Sequence, residues 1–82
     1  MNEAQITEKV IALIMPYVKN REALASIGKD TRILADLGVN SARLVDIVLA
    51  FEDEFDIEVS DDAADSIATI GDAVSLISQL AG

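Results

Sequence analysis

Ser41 is the side chain whose type and setting point to covalent chemistry. It lies in the stretch Leu37-Gly38-Val39-Asn40-Ser41-Ala42-Arg43-Leu44, at the head of a strongly helical pattern. Gly38 supplies a flexible turn, Asn40 is a good helix N-cap, and Ser41 falls in the first helical turn. Its hydroxyl therefore stands at the positive end of a helix dipole. A phosphate ester there would meet free backbone N–H groups and a field worth roughly 0.3–1 kcal/mol. An ordinary capping or first-turn serine is the other reading; the glycine before it, the acidic helix after it and the extra apolar line on that helix strengthen the case for a serine that carries a phosphorylated group, and both readings stand on the residues alone. Other chemistry is scarce. The 82 residues include no cysteine and no histidine, which excludes thiolate nucleophiles, disulfides, zinc fingers and Ser-His-Asp triads within the chain. Asp61, Asp62 and Asp65 lack the turn glycine and terminal bidentate glutamate of a calcium loop, so no metal site is expected. No base accompanies Ser41, and no catalysis by the chain alone is expected.

The elements that must hold Ser41 follow from spacing. Asn2 and Gln5 resemble a capping box, and Ile6, Val10, Leu13 and Ile14 fall on one face, predicting a first helix from about Glu3 to Met15. Pro16 ends or kinks it, with Tyr17 and Val18 adding a last half-turn. A long, weakly patterned connection follows. Asn20 to Ile27 predicts a short helix capped by Asn20 and stopped by Gly28, and Ile33, Leu34 and Leu37 pin the connection to the core. The second helix runs from about Ser41 to Phe55. Leu44, Ile47, Val48, Phe51 and Phe55 form its inner stripe. Asp56 to Val59 reads as an extended link with Ile57 and Val59 inward, and Ser60 caps a short helix from Asp61 to about Ser66. Thr69 with Asp72 caps the last helix, whose inner stripe is Ile70, Val74, Ile77 and Leu80, with Ala73 allowing close approach; Gly82 ends the chain.

Charge sharpens the picture. Six Lys and Arg stand against fifteen Asp and Glu, a formal net charge of -9. Nucleic acid and anionic membranes are repelled, and basic protein partners are the natural complement. Between Asp36 and Asp65 the single base is Arg43. The second helix also carries an apolar line outside its core stripe, Ala42, Val45 and Leu49, flanked by Asp46, Glu52 and Asp53. Such a face is ready to meet another protein. The longest apolar run, Val10 to Met15, is too short to span a bilayer. The first residues show no signal-peptide n-region. A single cytoplasmic domain is expected, and its strong negative charge favours a monomer.

Asp36-Leu37-Gly38-Val39-Asn40-Ser41, then Leu44-Val45-Asp46-Ile47-Val48 and Phe51 to Val59, closely resemble the acyl carrier proteins; Ile70-Gly71-Asp72-Ala73-Val74 is similar to the start of that family's last helix. The resemblance implies an all-α four-helix bundle with a short third helix and a long first connection, spanning residues 1–82 as one domain. It implies a 4′-phosphopantetheine arm on Ser41 that holds acyl groups as thioesters, in fatty-acid or specialised lipid synthesis. It also implies partners: a phosphopantetheinyl transferase and acyl-processing enzymes whose basic patches meet Asn40, Ala42, Val45, Asp46, Leu49, Glu52 and Asp53. A carrier of this kind needs a core soft enough to admit an acyl chain, and Ile47, Val48 and Phe51 are its expected lining. The family usually reads Asp-Ser-Leu where this chain reads Asn40-Ser41-Ala42. With Arg43 beside the attachment residue, these departures point to a dedicated carrier. An unmodified acidic interaction module of the same fold is the competing reading.

Overall fold

Helices form where the sequence supplies caps and apolar stripes. In a computed structural model that describes residues 2–81, the α-helices are α1 (Glu3–Ile14), α2 (Leu44–Phe55), α3 (Asp61–Asp65) and α4 (Ile70–Ala81), with 3-10 turns at Met15–Tyr17, Arg21–Ser26 and Ser41–Arg43. Gly82 lies outside the described residues. Among the described residues there is no strand, only an isolated antiparallel bridge between Arg32 and Thr69. None of their helices is long and apolar enough to cross a membrane. The all-α bundle with a short third helix and a long first connection is thus as expected.

Three of the α-helices, α1, α3 and α4, start on a local side-chain cap, whereas α2 follows directly from the Ser41–Arg43 turn with no cap from Arg43. The Asn2 side chain accepts from the Gln5 N–H and the Gln5 side chain accepts from the Asn2 N–H, both at 2.9 Å, a complete capping box. Ser60 accepts from the Ala63 N–H at 3.2 Å at the head of α3. At α4, Thr69 Oγ1 accepts from the Asp72 N–H, and Asp72 Oδ2 accepts from the N–H groups of Ala68 and Thr69. After α1 the chain tightens into the Met15–Tyr17 turn, where Pro16 cannot donate to a continuing ladder. The core gathers Ile6, Val10 and Ile14 from α1, Ile47, Val48 and Phe51 from α2, and Ile70, Ala73, Val74 and Ile77 from α4, all buried. α1 packs on both α2 and α4.

Three sequence expectations need correction. Asn20 does not cap the 21–26 turn; its side-chain Nδ2 donates to the Asp36 carbonyl at 2.9 Å, tying the connection across sixteen residues. Leu34 is 38% exposed, so Ile33 and Leu37 alone pin that segment. Leu80 is 45% exposed, because it falls on the last turn of α4, beyond the buried stripe that ends at Ile77.

The long connection is ordered by α4. The first N–H groups of that helix have no intrahelical acceptors. Ile70 N–H donates to the Thr31 carbonyl at 3.0 Å and Gly71 N–H to the Lys29 carbonyl at 2.9 Å, while Ile33 N–H donates back to the Ala68 carbonyl at 3.0 Å. The approach is close enough that a Cβ on Gly71 would lie 3.0 Å from the Lys29 carbonyl oxygen.

Two carboxylates in these junctions are held below their ordinary value of 3.8. For Asp72 the cause is the pair of N–H donors from Ala68 and Thr69; for Asp36 it is the Arg32 N–H, reinforced by the Arg32 guanidinium. A depressed folded value means their stabilising contribution is complete above the ordinary carboxylate value and is lost as pH falls through the depressed one. Asp72→Asn should therefore lower stability against urea near pH 6, and its deficit against the native protein should close on acidification below about pH 4. A deficit constant with pH would contradict this.

Candidate functional site

Ser41 is placed by a turn pinned on both sides. Leu37 and Val39 are buried around Gly38, which has φ +68°. That left-handed value favours glycine, and a Cβ there would also stand 3.4 Å from the Asn20 backbone nitrogen. The Leu37 carbonyl accepts from the N–H groups of Lys19 and Asn20 at 3.1 and 3.0 Å, and Val39 N–H donates to the Ile33 carbonyl at 3.4 Å. Two residues on, Asn40 caps the turn: its side-chain oxygen accepts from Ala42 N–H at 2.9 Å and its carbonyl from Arg43 N–H at 2.8 Å. Ser41 is exposed at the first position of that turn.

The geometry modifies the expected electrostatics. Asn40 already occupies the Ala42 and Arg43 N–H groups. An anion on Ser41 would feel the helix field while finding those two donors taken. The helix also opens as a 3-10 turn over Ser41–Arg43 before becoming α-helical at Leu44.

Beyond Ser41 the exposed face of α2 carries the apolar line. Val45 is 63% exposed and Leu49 57%, and Ala42 is exposed too. Asp53 is exposed, whereas Asp46 and Glu52 are half-buried and both engaged. Arg43 Nη1 donates to Asp46 Oδ2 at 3.1 Å, and the Val59 N–H donates to Glu52 Oε2 at 3.1 Å. The acidic character of the face is thus weakest next to Ser41 and strongest toward Glu52 and Asp53, while Glu54 turns away to pair with Lys9 of α1 at 3.4 Å.

A groove of about 240 Å³ opens at Ser41. Leu44, Val45, Val48, Leu49 and Glu52 of α2 form one side, and Val59, Asp61, Ala64 and Asp65 form the other. Of the three residues expected to line an acyl pocket, Val48 is in this groove. Ile47 and Phe51 lie in the closed core, 0% and 1% exposed. Helical periodicity marks the inward face but does not distinguish core from groove. It also gives no sign of Val59 and Ala64, which come from a different segment.

Comparison with known proteins fits this arrangement. A family model described as a phosphopantetheine attachment site matches residues 18–77. The chain is 40% identical over 74 residues to the acyl carrier protein of Sinorhizobium fredii, covering 90% of this chain and 92% of that one. It is 36% identical over 77 residues to the acyl carrier protein of Prochlorococcus marinus, covering 94% of each. It is 35% identical over 79 residues to the mitochondrial acyl carrier protein of Saccharomyces cerevisiae, covering 94% of this chain and 63% of that longer protein. With a matched attachment domain across most of its length and relatives aligned nearly end to end, the chain belongs to the acyl carrier protein family of phosphopantetheine-bearing domains.

Proposed function

We propose that Ser41 bears the 4′-phosphopantetheine arm, and that the protein carries acyl intermediates of fatty-acid or related lipid synthesis between enzymes. The observation that carries the reading is the placement of an exposed serine on a rigid turn, at one end of an open groove and at the head of an exposed apolar–acidic helix face. When attached, the arm supplies a thiol to which acyl groups are joined as thioesters.

The chain's own residues do the positioning. The Asn40 cap and the buried Leu37 and Val39 hold the Ser41 hydroxyl outward, where a phosphopantetheinyl transferase can reach it. Leu44, Val48, Val59 and Ala64 offer the groove's apolar lining to a cargo. Asn40, Ala42, Val45, Asp46, Leu49, Glu52 and Asp53 form the docking face, with Val45 and Leu49 giving contact area and the carboxylates giving steering. Tethering then raises the cargo's effective concentration at a docked enzyme to the order of millimolar. The catalysis belongs to the partners.

Incubation with coenzyme A and a broad-specificity phosphopantetheinyl transferase tests the reading. The protein should gain one arm, and proteolysis should place it on the peptide containing Ser41. An unmodified chain would instead support an interaction module without a prosthetic group. Docking gives a separate test. Association with an enzyme bearing a basic patch should slow about tenfold from low salt to molar salt, since exposed carboxylates act through a screened field. Salt-insensitive association would mean that Val45 and Leu49 dominate and the carboxylates do not steer.

A further inference from the structure

The two sides of the Ser41 groove are held very differently. The α2 side is anchored by Ile47, Val48 and Phe51 in the core. The opposite side is the 57–60 link and α3, and α3 has five residues, none of them buried. Its firm anchor on the far side is Ile67, which is buried. On the near side Ile57 and Val59 pack only partly buried against the core, and the hydrogen bonds of the chain reversal gather onto one residue, Glu52. Asp56 takes a left-handed conformation with φ 53° and reverses the chain, so that the link runs back beside α2. The Glu52 carbonyl accepts from the N–H groups of Asp56 and Ile57, and its side-chain Oε2 accepts from the N–H of Val59 at 3.1 Å. Glu52 and Val59 are themselves groove residues.

We propose that Glu52 is a positioning residue whose carboxylate straps Val59 to α2 and so sets the position of the α3 wall and the width of the groove. At about 240 Å³ the groove is smaller than the roughly 300–1,000 Å³ of drug-sized sites. A chain too long for it enters only if the α3 wall moves outward, and the Glu52–Val59 bond is the side-chain hydrogen bond that such movement must break, beside the partial packing of Val59 and Ala64 on the core. The strap needs an acceptor oxygen, not a charge, which separates it from any part Glu52 plays in docking. The consequence for cargo rests on the groove reading above; the strap itself does not.

Amide hydrogen exchange on the unmodified protein tests this, with Glu52→Gln and Glu52→Ala compared with the native chain. Glutamine keeps an acceptor of the same reach and loses the charge. The Val59 amide should exchange about tenfold faster in Glu52→Ala, the scale of one hydrogen bond, and stay within about twofold of native in Glu52→Gln. The Val48 and Val59 methyl resonances should shift in the alanine variant and hold in the glutamine variant. The Ile47 and Phe51 amides, which report opening of the core, should change in neither. The proposal is overturned if Gln behaves as Ala, if Val59 exchange is unmoved in Ala, or if every amide accelerates together. Since no arm is present, a failure to modify Ser41 would leave these results standing, so the two readings fail separately.

Discussion

Ser41→Ala should take up no phosphopantetheine from coenzyme A under conditions that load the native protein completely, while unfolding at the same denaturant concentration. Transfer to an alcohol needs that alcohol, and five of the other hydroxyls are already committed to backbone groups. Ser60 Oγ and Thr69 Oγ1 accept cap hydrogen bonds, Thr31 Oγ1 accepts from Gly28 N–H, and Ser66 Oγ and Thr7 Oγ1 donate to backbone carbonyls. The fold does not depend on Ser41, because the cap is Asn40. An exposed substitution of this kind changes stability by less than about 0.5 kcal/mol, whereas loss of the Asn40 cap would cost about 1 kcal/mol. Modification of the alanine variant would move the attachment point elsewhere. Loss of folding would make the serine structural.

Phe51→Ala should be the most damaging change to stability, at about 3–5 kcal/mol. Phe51 is 1% exposed and sits among buried residues of α1, α2 and α4. A domain of this size has a small core, and total stabilities of about 5–15 kcal/mol leave little after such a loss. Urea unfolding followed by circular dichroism should show a midpoint at or near zero denaturant. Leu49→Ala, two residues earlier on the same helix, should leave the midpoint nearly unchanged, since Leu49 is 57% exposed; its effect belongs to docking. A small loss at Phe51 would mean that the core is already loosely packed there.

What was legible in the sequence is local. Asn2 with Gln5, Ser60, and Thr69 with Asp72 announce helix starts because cap and partner are within four residues of each other. The stripes Ile6–Val10–Ile14 and Ile47–Val48–Phe51 announce buried faces because their period is that of a helix. Leu80 keeps the period but lies one turn past the last buried position, so periodicity overstates the core at a helix end. What escaped depends on chain reversal or long-range pairing. Nothing near Lys29 or Thr31 signals that their carbonyls receive the first N–H groups of α4. Asp56 belongs to a residue type enriched in left-handed positions, a weak signal that read only as part of an extended link. Glu52 looks like any acid on a solvated helix face until that reversal brings Val59 beside it. The site was therefore readable as an attachment serine and an apolar line, while the groove's second wall was not.

The most direct test of the central claim is peptide-resolved mass spectrometry of the protein isolated from its own cell. The account predicts that the peptide containing Ser41 carries the phosphopantetheine mass, partly extended by an acyl group that hydroxylamine releases. An unmodified Ser41 peptide from cells in which the protein's pathway is running, or the same mass on a different residue, would contradict it.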